Sequence, residues 1–291
     1  MLVIIGIVVV IGAVIGGYVM EGGVVGVLYQ PAELVIIGGA ALGSLLIGTP
    51  LAVVQALVGQ LTGLLGSGLT KAEFADLLGL LFKVFRTAQQ NGIMALESHF
   101  DKPKESAILK AHPKFLARHH SVAFLSDSIK VIIVGGISPH DLADLMGEDL
   151  EVHHEEAKGP AGTLAKVADA LPGLGIVAAV LGIVITMGAI DGPPSELGHK
   201  VGAALVGTFL GILLSYGFLQ PMAAAMELRV HEDGKYEQCI KAGVLATYKG
   251  LPPAIAIEFA RRVLPHSVRP SFEETEKICR NSRDGAGAQA A

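Results

Sequence analysis

The chain has 291 residues, 51% hydrophobic and 17% charged, with a mean hydropathy of +0.56. Soluble domains carry about 25% charged side chains, so this composition excludes an ordinary soluble protein and points to an integral membrane one. The formal net charge of −5 says little about a partner, and nothing in the charge pattern points to a nucleic-acid-binding surface.

Residues 1–20 carry no charge and are followed by Glu21. They lack the basic start of a signal peptide, so they read as a retained span. Residues 34–70, between Glu33 and Lys71, are also uncharged, but apolar density falls after Val58, where Gly59, Gly63, Gly66 and Gly68 appear. Residues 170–190, between Asp169 and Asp191, and 201–226, between Lys200 and Glu227, are the other uncharged runs. A hydrocarbon core of about 30 Å takes roughly 20 helical residues. Four spans follow, at about 2–20, 34–55, 170–190 and 201–221. The short turn Asp191-Gly192-Pro193-Pro194 makes the last two antiparallel neighbours.

Of the 22 basic residues, 11 fall in 54–169, 10 in 222–291, and Lys200 stands alone. Basic residues stay on the cytoplasmic side, which predicts a cytoplasmic loop and tail, cytoplasmic termini and exterior connections at 21–33 and 191–200. The fold class expected is all-α: a polytopic membrane protein with four transmembrane helices and a helical cytoplasmic domain. Its segments are 1–58 (spans one and two), 59–168 (cytoplasmic loop domain), 169–226 (spans three and four), 227–280 (cytoplasmic helical segment) and 281–291 (a small, polar, disordered tail). Small residues four apart occur in every span, among them Gly12 and Gly16, Gly39 and Gly43, Ala178 and Gly182, and Gly207 and Gly211. Such pairs let helix backbones approach closely in lipid.

In the loop, Thr70-Lys71-Ala72-Glu73 is a capping box. Phe74, Leu77, Leu78, Leu81, Phe85 and Ala88 follow at helical spacing, predicting a helix to about Ser98. A second helix is expected over 114–134, ending at Gly135-Gly136. Ser138-Pro139 caps a third, ending near Gly159-Pro160. Beyond the spans, 227–263 reads as helix broken at Pro252-Pro253.

No residue set carries an enzyme signature, so neither catalytic nor metal residues are assigned and no enzyme is expected. His119-His120 and His153-His154 are adjacent pairs, and neighbours on a helix diverge by about 100°, which disfavours one shared ion. Cys239 and Cys279 read as free thiols. The four spans as drawn contain no ionisable residue, whereas proteins that move ions across a bilayer normally hold one. A partner must then supply the titrating group. The polar groups left are Thr186, Thr208, Ser215, Tyr216 and Gln220, whose hydroxyls by default bond backbone carbonyls. Pro172 and Pro221 mark weak points in the two antiparallel spans, at similar depth.

Two stretches carry a family resemblance. Leu171-Pro172, Leu174 to Gly182 and Thr186-Met187-Gly188 resemble the third span of flagellar stator A subunits, the MotA family. Val206 to Leu214, Tyr216-Gly217-Phe218 and Pro221 resemble its fourth, and Leu96-Glu97 with Asp101, Pro103, Glu105 and Ser106 its cytoplasmic loop. The resemblance implies a bacterial inner-membrane ring, a pentamer, around a B-type subunit with a transmembrane aspartate and a peptidoglycan-binding domain. Ion flow past that aspartate turns the ring, which pushes the rotor protein FliG in motility and chemotaxis. It implies that Pro172 and Pro221 couple ion binding to movement, and that Thr208, with Ala179 and Thr186, lines the ion path. Loop charges contact the rotor. Glu97 matches the family glutamate, while the arginine position holds Gln89, and Arg86, one turn earlier on the same face, is placed to supply the charge. Sodium-driven relatives carry threonine at the position of Ala179, whose methyl offers no oxygen ligand. Protons are therefore the expected coupling ion, sodium less so, with no cofactor. Alternatives are an ExbB- or TolQ-like energiser of an envelope protein and a self-sufficient channel or transporter.

Overall fold

The computed structural model describes residues 2–66, 68–188 and 190–284. The described residues contain helices and no strand. In chain order these are α1 (Leu2–Met20), α2 (Val25–Leu28), α3 (Pro31–Gly48), α4 (Leu51–Gly63), α5 (Lys71–Asn91), α6 (Glu97–Asp101), α7 (Ala107–Lys110), α8 (Pro113–Leu116), α9 (His119–Val134), α10 (Pro139–Met187), α11 (Pro194–Ile212), α12 (Gln220–Tyr248), α13 (Pro253–Arg262) and α14 (Phe272–Asp284). A 3-10 turn (Ile93–Leu96) precedes α6, and a π segment (Leu213–Leu219) joins α11 to α12. Four helical stretches are long and apolar enough to cross a bilayer: Leu2–Met20, Val25–Gly48, Pro139–Met187 and Pro194–Tyr248.

Local signals explain most boundaries. Thr70 and Glu73 form the capping box, with the Thr70 N–H donating to Glu73 Oε2 at 2.8 Å. The α5 helix stops at Asn91 and not near 98, because Gly92 takes φ +81°, a conformation that ends a helix. The α9 helix ends at Gly135 and Gly136, both with positive φ. Ser138 caps α10, its Oγ accepting from the Asp141 N–H at 3.1 Å.

Two expected boundaries are absent. The helix from Ser138 does not end at Gly159-Pro160; α10 continues through Pro160 and Pro172 to Met187. Pro160 costs one backbone bond, that of the Glu156 carbonyl, but Glu156 is exposed and Pro160 and Ala161 are buried, so packing holds the helix through the defect. The second span starts earlier than Leu34. Thr49 and Pro50 break it, Pro50 capping α4 at φ −59°, ψ 145°, so the apolar helix is Val25–Gly48 and contains Glu33.

The chain divides into two units. The membrane unit comprises 2–66 and 157–229. Within it α2 and α3 pack on α11, and α1 touches the π segment. Ile37, Ala41, Leu171 and Ala178 form one small core, and Leu57, Leu64, Ala161, Leu164, Ala223 and Met226 another. The α1 helix buries no residue. Ile176, Val177, Val180, Val184 and Ile185 are exposed apolar side chains on α10, suited to lipid or to neighbouring chains.

The soluble unit comprises 68–156 and 230–284. Loop and C-terminal segment, expected as separate parts, share one core. Phe74, Leu77, Leu78, Leu81 and Phe85 of α5 are buried with Phe115, Phe124, Ile240, Val244, Ile257 and Ala260, while Ala88 packs at the margin. Each such side chain contributes roughly 1.5–3 kcal/mol, and a shared core requires both segments on one side of the membrane. The C-terminal segment was expected to dissolve into a disordered tail from 281. Instead α14 continues to Asp284 and lies on α5, where a Cβ at Gly79 would meet Ile278 Cγ2 at 3.3 Å and Ser282 Oγ at 3.2 Å. Residues 285–291, the rest of that expected tail, lie outside the described residues. Cys239 is buried and Cys279 half-buried, both free thiols.

Candidate functional site

The candidate site is the seam between α10 and α11. It exists because both helices carry small residues at facing positions. A Cβ at Gly175 would lie 2.8 Å from the Gly207 carbonyl oxygen, and one at Gly211 would lie 2.6 Å from the Leu171 oxygen. At Gly182 it would lie 2.8 Å from Ala204 Cβ. Of the four small-residue pairs, those on α10 and α11 make this contact. A Cβ on Gly12, Gly16, Gly39 or Gly43 meets nothing within 4 Å, so those two pairs face away from the rest of the chain.

Both prolines belong to this seam. Pro172 lies inside α10, well past its first turn, and the carbonyl of Leu171 just before it abuts Gly211. Pro221 follows the π segment, in which the Gln220 N–H reaches back five residues to the Ser215 carbonyl. A proline has no N–H for the carbonyl four residues back, here Gly217, and a π turn is a known way to absorb such a defect. The Gln220 side-chain amide donates to Asp169 Oδ1. That bond ties the residue before Pro221 to the turn before Pro172, so the two prolines share one level. Pro172 is half-buried and Pro221 exposed within the single chain.

Pro172, Ala179 and Thr186 are spaced seven apart on α10 and share a face. Ala179 and Thr186 are buried, and Thr208 is half-buried with its Cα against Gly175. The Thr186 hydroxyl donates to its own helix at the Gly182 carbonyl, 2.7 Å away. Ser215 is fully buried with no partner for its hydroxyl among the described atoms.

Glu33 corrects the expectation that no span holds an ionisable group. It sits on α3, 7% exposed, with Oε2 unpartnered. A Cβ on Gly207 would lie 2.5 Å from that oxygen, and one on Gly182 3.5 Å from Oε1. The absent side chain at Gly207 leaves room for the carboxylate, whereas the distance at Gly182 is an ordinary contact. The site is level with Gly182, ten residues along α10 from Pro172, hence about 15 Å away. In the sequence Glu33 looks like the polar end of an exterior loop. The overlooked signal is Pro31 two residues earlier, a helix-starting proline that puts Glu33 inside the first turn.

In the soluble unit, Gln89 and Glu97 are exposed, whereas Arg86 is half-buried rather than exposed. Gly92 separates α5 from the turn leading to Glu97, so Glu97 lies on a different element from Arg86 and Gln89. Gln89 borders a cavity of about 340 Å³ lined also by Phe85, Ile93, Leu96, Ile132 and Tyr248.

Residues 4–92 match the family model described as "Motility protein A N-terminal", and residues 111–236 that of the "MotA/TolQ/ExbB proton channel family". The chain is 43% identical to motility protein A of Salmonella typhimurium, over 98% of this chain and 97% of that one. It is 43% identical to motility protein A of Escherichia coli, over 96% and 95%. Its fold is similar to C. jejuni MotAB (TM-score 0.75, 21% identity, 92% of this chain and 98% of that one) and to the flagellar MotAB stator complex from Bacillus subtilis (TM-score 0.73, 24% identity, with the same shares). Near-full-length identity at this level leaves one assignment: the chain belongs to the motility protein A family.

Proposed function

We infer that this chain is the A-type stator subunit of a bacterial flagellar motor, set in the inner membrane. It works with a B-type partner whose membrane carboxylate carries the ion, and it converts ion flow into torque on the rotor protein FliG. The observation that carries this reading is the pair of interrupted helices, Pro172 in α10 and the π segment before Pro221, joined at one level by Asp169 and Gln220. A helix lacking one backbone bond bends there more cheaply than elsewhere. The glycine seam beside it lets α10 and α11 slide with little side-chain obstruction. Protonation of a carboxylate docked near this level changes the local field, and these two defects are where that change becomes movement. Relatives named motility protein A, and four stretches of span length, favour this reading over an ExbB- or TolQ-like energiser. The wider assembly is a ring of A subunits, five by the resemblance, around the B-type partner, with cytoplasmic termini. Arg86, Gln89 and Glu97 form the rotor-facing side. The coupling ion is the proton, because the methyl of Ala179 offers no oxygen ligand to a sodium ion.

Pro172→Ala and Pro221→Ala proteins, co-expressed with the partner, test the coupling role by membrane level, proton conduction in sodium-free medium and swimming speed. Normal assembly with slow or absent rotation is expected. Near-normal torque in both single variants would reduce the prolines to helix punctuation, and a strict need for sodium would overturn the ion assignment.

A further inference from the structure

Each adjacent histidine pair splits, and one member of each comes together with a carboxylate from a third helix. His120 of α9 and His153 of α10 stack face to face, ring centroids 3.3 Å apart and 12° from parallel. Glu237 of α12 points its Oε1 at both, 3.5 Å from His120 Nε2 and 3.7 Å from His153 Nε2. The three donor atoms all lie within 4.8 Å of one another. In a tetrahedral centre with metal–ligand bonds of 2.0–2.1 Å, donor atoms are about 3.3 Å apart. The two nitrogen–oxygen distances are within a few tenths of an ångström of that, and the rings, stacked in the metal-free chain, must rotate out of the stack for both Nε2 lone pairs to meet at one ion.

As metal-free groups the three are poorly matched. The Nε2 of His120 is buried without a hydrogen-bond partner. Glu237 is 5% exposed. Burial, with Asp233 and Asp149 nearby, pushes its carboxyl up to about 7, against the pull of Arg118 and Ser121. Burial holds both imidazoles below their usual range, although Asp149 and Glu156 act the other way on each and Asp233 also on His153. The surrounding Asp149, Asp233 and Glu156 make the field favourable to a cation. Glu237 also lines an open cleft shared with His154, His231 and Lys241, which offers a way in from solvent.

We propose that His120, His153 and Glu237 form a divalent-metal site of the zinc class in the soluble unit, with one ligand from each of α9, α10 and α12. Two nitrogen donors and one carboxylate oxygen suit zinc and its late first-row neighbours better than magnesium or calcium, which prefer oxygen-only shells. Three protein ligands leave one position to water from the cleft. The bound ion would fasten three helices of one core together, so occupancy would set the rigidity of the soluble unit. Nothing in the role inferred above for the membrane unit depends on this site.

The test uses the full chain, purified with its partner, stripped with chelator and titrated with Co²⁺ as a spectroscopic stand-in for Zn²⁺. The expected result is one Co²⁺ per chain with visible ligand-field bands of a low-coordinate nitrogen and oxygen site, displaced by one equivalent of Zn²⁺. H153A and E237Q should each weaken binding by tenfold or more, while H119A, which alters the exposed neighbour, should bind like the parent chain. Zn²⁺ should also raise the melting temperature of the parent chain and not that of H153A. Should either variant fail to fold, the parent chain's stoichiometry and cobalt spectrum decide alone. Well under one equivalent bound, a spectrum of fully hydrated Co²⁺, or equal binding in H153A and E237Q would overturn the proposal.

Discussion

Gly175 and Gly173 lie one residue apart on each side of Leu174 in α10, yet an added methyl should act on them in opposite directions. At Gly173 a Cβ meets nothing within 4 Å. Alanine there only gains the helix preference over glycine, about 0.5–1 kcal/mol. At Gly175 the same atom would stand 2.8 Å from the Gly207 oxygen and 3.1 Å from Gly211 Cα. Ordinary contact begins at 3.4 Å, so α11 must retreat by 0.6 Å, the difference between 3.4 and 2.8. Both obstacles are backbone atoms, which cannot rotate away as a side chain would. Overpacking of this kind costs about 1–3 kcal/mol. Gly211→Ala makes the reciprocal clash, 2.6 Å from the Leu171 oxygen, and requires 0.8 Å. Thermal unfolding of the stator complex in detergent, followed by a label in the membrane unit, should place Gly175→Ala and Gly211→Ala several degrees below the parent. Gly173→Ala should match or exceed it. Swimming speed should fall in the first two, since the seam opens beside Pro172. Equal melting of all three variants would refute the claim that backbone contact between α10 and α11 is what the glycines serve.

Glu33→Met keeps the side-chain volume but removes a buried carboxylate whose Oε2 has no partner, so the membrane unit should gain about 1–3 kcal/mol; a melting temperature equal to or below the parent's would refute this. Glu97→Lys should leave the melting temperature within the scatter of a surface change, about 0.5 kcal/mol, while reducing motility. Arg86→Glu, at a half-buried position, should lower both; normal swimming in the double variant would remove these charges from rotor contact. The Glu237 carboxyl sits at about 7 in the fold, against 4.5 when unfolded, so the folded chain favours its protonated form. That stability is complete below about pH 4.5 and is lost as pH rises through 7, by at most about 3 kcal/mol. Without metal, the parent chain should therefore lose stability relative to E237Q between pH 5 and 8, and parallel curves would refute the assignment.

Run lengths and local chemistry were enough to read four membrane-crossing stretches, the Thr70 capping box, the glycine stop at 135 and 136, and the two prolines. These features are short-ranged: a bilayer sets a residue count, and a cap involves atoms three or four residues apart. The family resemblance rests on the same local strings, Leu171 to Gly188 and Val206 to Pro221. What those strings leave open is rotation and partnership. A hydrophobic run does not say which of its glycines meets another backbone, and only packing separates Gly175 and Gly211 from Gly12 and Gly39. Glu33 looked like a loop residue because a charge normally ends a span; the helix begins before it, and Gly207 leaves the space that buries it. The loop and the C-terminal segment are separated in sequence by both long spans, so nothing local joins Phe74 and Phe85 to Ile240 and Ala260. Adjacent histidines diverge on a helix, as geometry requires, but three helices in one core bring His120, His153 and Glu237 within reach of a single ion. Contacts of that range depend on how helices rotate against one another, which tertiary packing decides.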